Sequence, residues 1–276
     1  MKPDEAGLHP NHQAVVKRFF NACQEDDRIL AAFIGGSYAR GTADEFSDLD
    51  LYAITSDDTF DDFIVHRNEF IHLLGEPLFI ETFNIPNRVF FFLDNGTEGE
   101  LGIGHESKFA DIHNGPYIVL VDKKQILKGV EFIDEPSDLT EQVEKLRRLI
   151  FWFWHDLSHF ITAMERNQLW WAQGQLEELR RYCVNLVRMR NYFLDPEIGD
   201  EPYFKIEKFM PVEQLSALRD TFSPIEEGAL LNSSVSIVRV YQELANPLAQ
   251  AHNIPYPEAL ERMMLQRLEK LQSTRI

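Results

Sequence analysis

Residues 34–52 read Ile34-Gly35-Gly36-Ser37-Tyr38-Ala39-Arg40-Gly41-Thr42-Ala43-Asp44-Glu45-Phe46-Ser47-Asp48-Leu49-Asp50-Leu51-Tyr52. An apolar run enters two glycines and a serine, a polar turn follows, and two aspartates then alternate with leucines. Ile29 to Ile34 is continuous apolar sequence between Glu25-Asp26-Asp27 and the glycines, the pattern of a short buried strand. Asp48 to Ile54 resumes strand character, with Leu49, Leu51 and Ala53 on one face and Asp48, Asp50 and Tyr52 on the other. The stretch is therefore expected to be strand, small-residue turn, strand, and the fold is read from it.

Two features of that unit carry chemistry. A backbone that approaches a phosphate closely needs positions without Cβ, which Gly35 and Gly36 supply. If Ser37 to Arg40 opens a helix, its free N–H groups favour an anion, and the Ser37 hydroxyl adds a donor. Alone, Gly-Gly-Ser reads as readily as an ordinary tight turn. Asp48 and Asp50 lie on one strand face about 7 Å apart at the backbone, where two carboxylates repel unless a cation lies between them. Magnesium takes oxygen ligands and keeps positions open for substrate phosphates, and a two-ion site needs bridging carboxylates. Alone, Asp-Leu-Asp also suits a half-exposed strand. Arg40 stands either as a phosphate contact or as the pin of the Asp44-Glu45 turn, and Ser47 as a local hydrogen-bonding residue at the strand entrance.

Together, Gly36-Ser37, ten intervening residues and Asp48-Leu49-Asp50 resemble the signature of the nucleotidyltransferase superfamily, the DNA polymerase β-like fold. The fuller run Gly36-Ser37-Tyr38-Ala39-Arg40-Gly41-Thr42 to Ser47-Asp48-Leu49-Asp50 looks like the bacterial branch that includes aminoglycoside and lincosamide nucleotidyltransferases. The close match covers about twenty residues; the remainder of the amino-terminal half matches in layout only. The resemblance implies transfer of a nucleoside monophosphate, AMP from ATP or another NTP, to a hydroxyl of a small acceptor. It implies Mg²⁺, two ions, held by Asp48, Asp50 and a third carboxylate, with Gly36, Ser37 and Arg40 on the nucleotide. The third acid belongs on a later strand, and Glu100 is chosen from Glu98-Gly99-Glu100-Leu101-Gly102-Ile103-Gly104, because two glycines on its face leave room for substrate. Glu98 is the runner-up, and an exposed edge-strand glutamate is the plain alternative.

Outward from this unit, Val15, Phe19 and Ala22/Cys23 follow helical spacing behind a cap at Asn11. Phe60, Ile64, Phe70 or Ile71 and Leu74 mark a helix closed by Gly75 and Pro77. Leu78–Phe83, Val89–Asp94, Glu98–His105 and Tyr117–Val121 read as strands, with Asn95-Gly96 as a hairpin turn. After Glu135-Pro136 the texture becomes helical: a capping box at Asp138 and Glu141 opens a long apolar repeat to Met164. Further helices are expected at Leu169–Phe193, Val212–Thr221, Ile225–Ala251 and Tyr256–Leu271, the short Val235–Val240 being strand or helix. The fold class is α+β, a small mixed-sheet nucleotidyltransferase domain over residues 1–135 followed by an α-helical bundle over 136–276. The family resemblance implies that the bundle shapes the acceptor pocket, with the active site in the cleft between them.

Net charge is −18, unevenly placed: residues 1–135 hold 11 Lys+Arg against 25 Asp+Glu, and residues 136–276 hold 16 against 20. This field serves solubility alone or disfavours a polynucleotide, which needs a basic stripe, and attracts cations, which fits the amine-bearing aminoglycoside or lincosamide acceptor that the resemblance implies. The two cysteines lie far apart, the first ten residues carry no apolar stretch, and no apolar run is long enough for a bilayer. A cytoplasmic protein with NTP and small-molecule partners, and neither nucleic acid nor membrane, is the expectation. A protein-directed nucleotidyltransferase and a nucleotide-binding protein without turnover remain the alternatives. In the helical half, His155 and His159 share a helix face, a spacing that zinc could use, but no third ligand is apparent from the sequence and their aromatic neighbours favour packing. Phe151–Trp154 and Trp170-Trp171 read as core. Arg181 and Arg188 share a face seven residues apart, either as a solvated basic stripe or as contacts to a triphosphate tail.

Overall fold

The structure, a computed structural model, describes residues 8–132, 138–191, 193 and 202–275. The chain divides into two compact units, Met1–Glu135 and Pro136–Ile276. The first is built on a six-stranded sheet of β1 (Ile29–Ile34), β2 (Leu49–Thr55), β3 (Pro77–Glu81), β4 (Arg88–Leu93), β5 (Glu98–His105) and β6 (Ile118–Asp122), ordered β3-β4-β5-β2-β1-β6. Every neighbouring pair is antiparallel except β2 and β5, which run parallel at the centre. That pairing joins the aspartate strand to the glutamate strand, although 42 residues separate the ends 55 and 98 (98 − 55 − 1).

Alternation along β2 explains the placement. Leu49, Leu51 and Ala53 are fully buried, packed with Leu101, Ile103 and Val89 against α1 (Pro10–Glu25) and α3 (Phe60–His72). From α1 the residues Val15, Val16, Phe19 and Cys23 enter that core, a one-sided helical stripe. The helix begins one residue before Asn11, with His9 as cap and Pro10 in the first turn, where its missing N–H costs nothing. The other sheet face has a smaller aromatic core in which Phe33 stacks on Tyr52 at 4.7 Å. Between β1 and β2 lies a one-turn helix, α2 (Gly36–Ala39).

The second unit is helical: α4 (Leu139–Glu165), α5 (Leu169–Asn191), α6 (Ile206–Phe209), α7 (Val212–Arg219), α8 (Glu227–Ala251) and α9 (Glu258–Arg275). The Asp138 side chain caps α4 by accepting the Thr140 N–H at 2.9 Å. Val235–Val240 lies inside α8, helix rather than strand, with Ile237, Val238 and Val240 buried and Val235 exposed. Phe153 stacks on Tyr241 with 3.5 Å between centroids, and the Tyr241 hydroxyl donates to the Ile150 carbonyl at 2.7 Å, joining α4 to α8. The α+β class, a mixed sheet followed by a helical region, is as expected. The Leu169–Phe193 helix was expected two residues longer than α5, and residue 192 lies outside the described residues.

Two expectations for this half are corrected. Trp170 is 82% exposed and Trp171 37%, so this pair belongs to the surface; in the Phe151–Trp154 run Phe153 and Trp154 are buried as read, but Trp152 is 49% exposed and Phe151 only half-buried. The expected pair is not a solvated stripe, since Arg181 is half-buried and Arg188 buried, and the neighbouring Arg180 goes inside too. Arg180 is fully buried, donating from Nε to the Thr221 hydroxyl at 2.8 Å and pairing with Glu177. Arg188 is buried as well, donating to the Pro202 and Phe204 carbonyls. Both guanidiniums hold the α5 to α7 region together, because a buried charge persists only with its donors satisfied. Among the described residues no helix is long and apolar enough to cross a membrane.

Candidate active site

The turn after β1 is built around Asp50. The Gly35 N–H donates to the Asp50 carbonyl at 2.9 Å, which ties the turn to β2. Gly36 follows with φ +54°, in the left-handed region. A Cβ on Gly36 would lie 1.6 Å from Asp50 Oδ2, so the carboxylate occupies the space that any side chain would need. At Gly35 a Cβ would fall 2.5 Å from the His113 ring. The glycines therefore let the backbone touch a carboxylate on one side and an imidazole on the other. Behind the turn the Tyr38 hydroxyl is hydrogen-bonded to His12 Nδ1, which fixes α2 against α1. The Ser37 hydroxyl is buried and has no hydrogen-bond partner among the described residues. A buried polar group without a partner is costly and calls for an explanation, and a ligand oxygen at the turn is one.

Register brings the acids together. Asp50 on β2 faces Glu100 on β5 directly across the parallel ladder. Asp48 sits one residue before β2, exposed at the mouth of the same face, and Ser47 closes the approach by bonding Asp44. Glu98 is exposed two residues before Glu100 and pairs in register with Phe92 rather than with an acid. Burial, then the charges of Asp48 and Glu100, push the Asp50 carboxyl up to about 7, against the opposing pull of Arg40 and Arg88. Burial and the two neighbouring carboxylates thus both disfavour the charged form of Asp50. A divalent cation would discharge that repulsion, and an all-oxygen donor set suits magnesium rather than a softer metal.

Arg88, Asp111, His113 and Asn114 join the site without a sequence signal, whereas Tyr52 lies on the acid face as its alternation indicated. Arg88 on β4 donates to Glu100 Oε1 at 2.6 Å and fixes its carboxylate. Tyr52 lies beside it, and a Cβ on Gly102 would meet the Tyr52 ring at 2.7 Å. The glycine beside Glu100 thus makes room for Tyr52, not for substrate as the sequence suggested. Burial and then the Glu100 and Asp50 charges hold the Tyr52 phenol well above its ordinary range, so it stays a hydrogen-bond donor. After β5 the chain returns over this face, and Asp111, His113 and Asn114 close a polar cleft of about 270 Å³ with Gly36, Arg40, Asp50 and Arg88. His113 is anchored through Nε2 to the Pro116 carbonyl at 2.9 Å. Arg40 is exposed at this cleft, on the Asp50 side.

A family model for streptomycin adenylyltransferase matches residues 11–271, nearly the whole chain. The chain belongs to the streptomycin adenylyltransferase family. It is accordingly a nucleotidyltransferase enzyme, of the kind that takes an NTP donor. No curated protein matches the sequence. Among solved structures, an aminoglycoside 6-adenyltransferase from Bacillus subtilis is similar at 16% identity, over 96% of this chain and 99% of that one, with a TM-score of 0.43. A nucleotidyltransferase-like protein from Exiguobacterium sibiricum 255-15 is similar at 10% identity, over 84% of this chain and 74% of that one, with a TM-score of 0.38.

Proposed function

We propose that this enzyme is a Mg²⁺-dependent adenylyltransferase that moves AMP from ATP to a hydroxyl of a cationic small molecule of the aminoglycoside or lincosamide kind. The observation that carries the reading is Asp50: it faces Glu100 across one strand pair and lies under the backbone of Gly36. Asp48, Asp50 and Glu100 would hold the magnesium. The ions would supply charge neutralisation at the triphosphate and a lowered pKa at the acceptor hydroxyl.

The chain's own residues divide the remaining work. Gly36 lets the triphosphate approach the backbone, and the Ser37 hydroxyl donates to a phosphate oxygen. Arg40 supplies positive charge on the side where pyrophosphate departs. The acceptor oxygen bonds to the α-phosphorus while the bond from that phosphorus to the bridging oxygen breaks, releasing pyrophosphate. Glu100, held by Arg88, takes the hydroxyl proton or serves as a ligand. Catalysis of this kind rests on positioning and charge stabilisation rather than on a covalent enzyme intermediate. The negative field of the first unit, 11 cationic against 25 anionic residues over 1–135, favours an ammonium-bearing acceptor.

Incubating the purified chain with Mg²⁺, mixed NTPs and a panel of aminoglycosides and lincosamides, read by mass spectrometry, tests this. One compound should gain the mass of an AMP group, and the gain should vanish in Asp50→Ala. ATP binding with no pyrophosphate released on any acceptor would remove the proposed transfer, and labelling of a protein in place of the compounds would replace the acceptor class.

A further inference from the structure

Helix α4 carries a second cluster that the transfer reaction does not use. His155 and His159 lie one helical turn apart with ring centroids 4.5 Å from each other. Asp156 completes the group: each of the three residues offers a ligand atom, and these atoms all lie within 4.8 Å of one another. We propose that His155, Asp156 and His159 form a site for a divalent transition-metal ion, with zinc the ion best suited to two imidazoles and one carboxylate.

The carboxylate is held for the purpose from the neighbouring helix. The Tyr182 hydroxyl of α5 donates to Asp156 Oδ2 at 2.6 Å, while Oδ1 lies 2.9 Å from His155 Nδ1. The Asp156 side chain is only 15% exposed, against 48% for His155, so one end of the cluster is fixed and the other is open to solvent. A surface ion pair accounts for His155 and Asp156. It leaves His159 unexplained, since neither of its ring nitrogens has a hydrogen-bond partner among the described residues and its ring meets only His155 and Trp171. A metal ion accounts for all three residues, and Tyr182 then acts as the outer partner that orients a ligating carboxylate.

Geometry permits it. Tetrahedral zinc with bonds of about 2.0–2.1 Å places its ligand atoms roughly 3.4 Å apart. The widest pair must therefore close by about 1.4 Å, within the reach of a side-chain rotation of an imidazole at the surface. Three protein ligands leave a fourth position facing solvent. Magnesium prefers oxygen, so this site and the acids around Asp50 select different metals. Because Asp156 is tied to Tyr182, an ion bound here stiffens the joint between α4 and α5.

The test is titration of Zn²⁺ into the full chain, freed of any affinity tag and of metal, with Mg²⁺ in excess to occupy the oxygen site. Calorimetry should give one ion per chain, and Co²⁺ in its place should give the strong visible absorption of a four-coordinate ion. Trp152, 4.7 Å from the His155 ring, and Trp171, 6.2 Å from His159, report the same event by quenching with Co²⁺. Binding should disappear in the double variant His155→Ala/His159→Ala. It should weaken about 10-fold or more in Tyr182→Phe, which loses only the outer hydrogen bond. Wild-type affinity in the double variant, checked as folded by circular dichroism, would overturn the proposal, as would the lack of a one-to-one site in the wild type.

Discussion

Replacing Gly36 by alanine separates two effects that coincide at this position. The left-handed backbone, φ +54°, costs an alanine about 1–2 kcal/mol. The second effect is steric: the new Cβ would fall 1.6 Å from Asp50 Oδ2, whereas ordinary contact begins near 3.4 Å, so turn and carboxylate must part by about 1.8 Å (3.4 − 1.6). Displacements of about 1 Å in a reacting constellation cost on the order of 100-fold in rate, so Gly36→Ala should lose at least that much in kcat. Gly96→Ala is the control. Its φ is +83° and nothing lies within 4 Å of the built Cβ, so it carries the backbone cost without the collision. Gly96→Ala should lose about 1–2 kcal/mol in urea unfolding and Gly36→Ala at least as much, and only Gly36→Ala should lose Mg²⁺-dependent pyrophosphate release. Activity of Gly36→Ala within threefold of wild type would refute the reasoning, because the turn would then yield without moving Asp50.

Other expectations follow from the same contacts. Without metal, Asp50 should destabilise the fold: its carboxyl is raised to about 7 from 3.8, so the folded chain keeps a proton that the unfolded chain gives up, and stability falls as pH rises from about 4 to about 7. In EDTA at pH 8, Asp50→Asn should therefore raise Tm by a few degrees, roughly, while in Mg²⁺ the gain should shrink. Arg88→Leu removes a cation that opposes protonation of Asp50 and frees Glu100, so the acid limb of the pH–rate profile should move to higher pH. Arg180→Ala strips a buried guanidinium from Thr221 and Glu177 and should cost on the order of 3 kcal/mol in urea unfolding, with no change in nucleotide affinity.

What the sequence disclosed was local. Gly36, Ser37, Asp48 and Asp50 lie within fifteen residues, and their spacing alone carries strand, turn and strand. Strand β5 was legible because Asn95-Gly96 marks its start, but alternation puts Glu98 and Glu100 on one face. Gly102, read as room for substrate, makes room for Tyr52, and the β2–β5 register is what sets Glu100 opposite Asp50. Arg88, Asp111 and His113 gave no signal, since they reach the cleft only through the β4–β5 register and the return of the chain after β5. Burial of Arg180 and Arg188 was hidden for a related reason: a charged helix face looks solvated until the groups that satisfy it, here Thr221 and two carbonyls, are placed by distant chain. Asp156 was overlooked because adjacent helical residues point about 100° apart. Tyr182 of α5 holds Oδ2 of its carboxylate while Oδ1 lies 2.9 Å from His155 Nδ1.

The most direct test of the central claim is diffraction from crystals soaked with Mn²⁺ and an ATP analogue that cannot be cleaved at the α-phosphorus. Anomalous peaks should appear between Asp48, Asp50 and Glu100, with triphosphate oxygens completing the coordination and the Ser37 hydroxyl on a phosphate. Nucleotide bound elsewhere, or manganese absent from those carboxylates while the nucleotide is in place, would contradict the account.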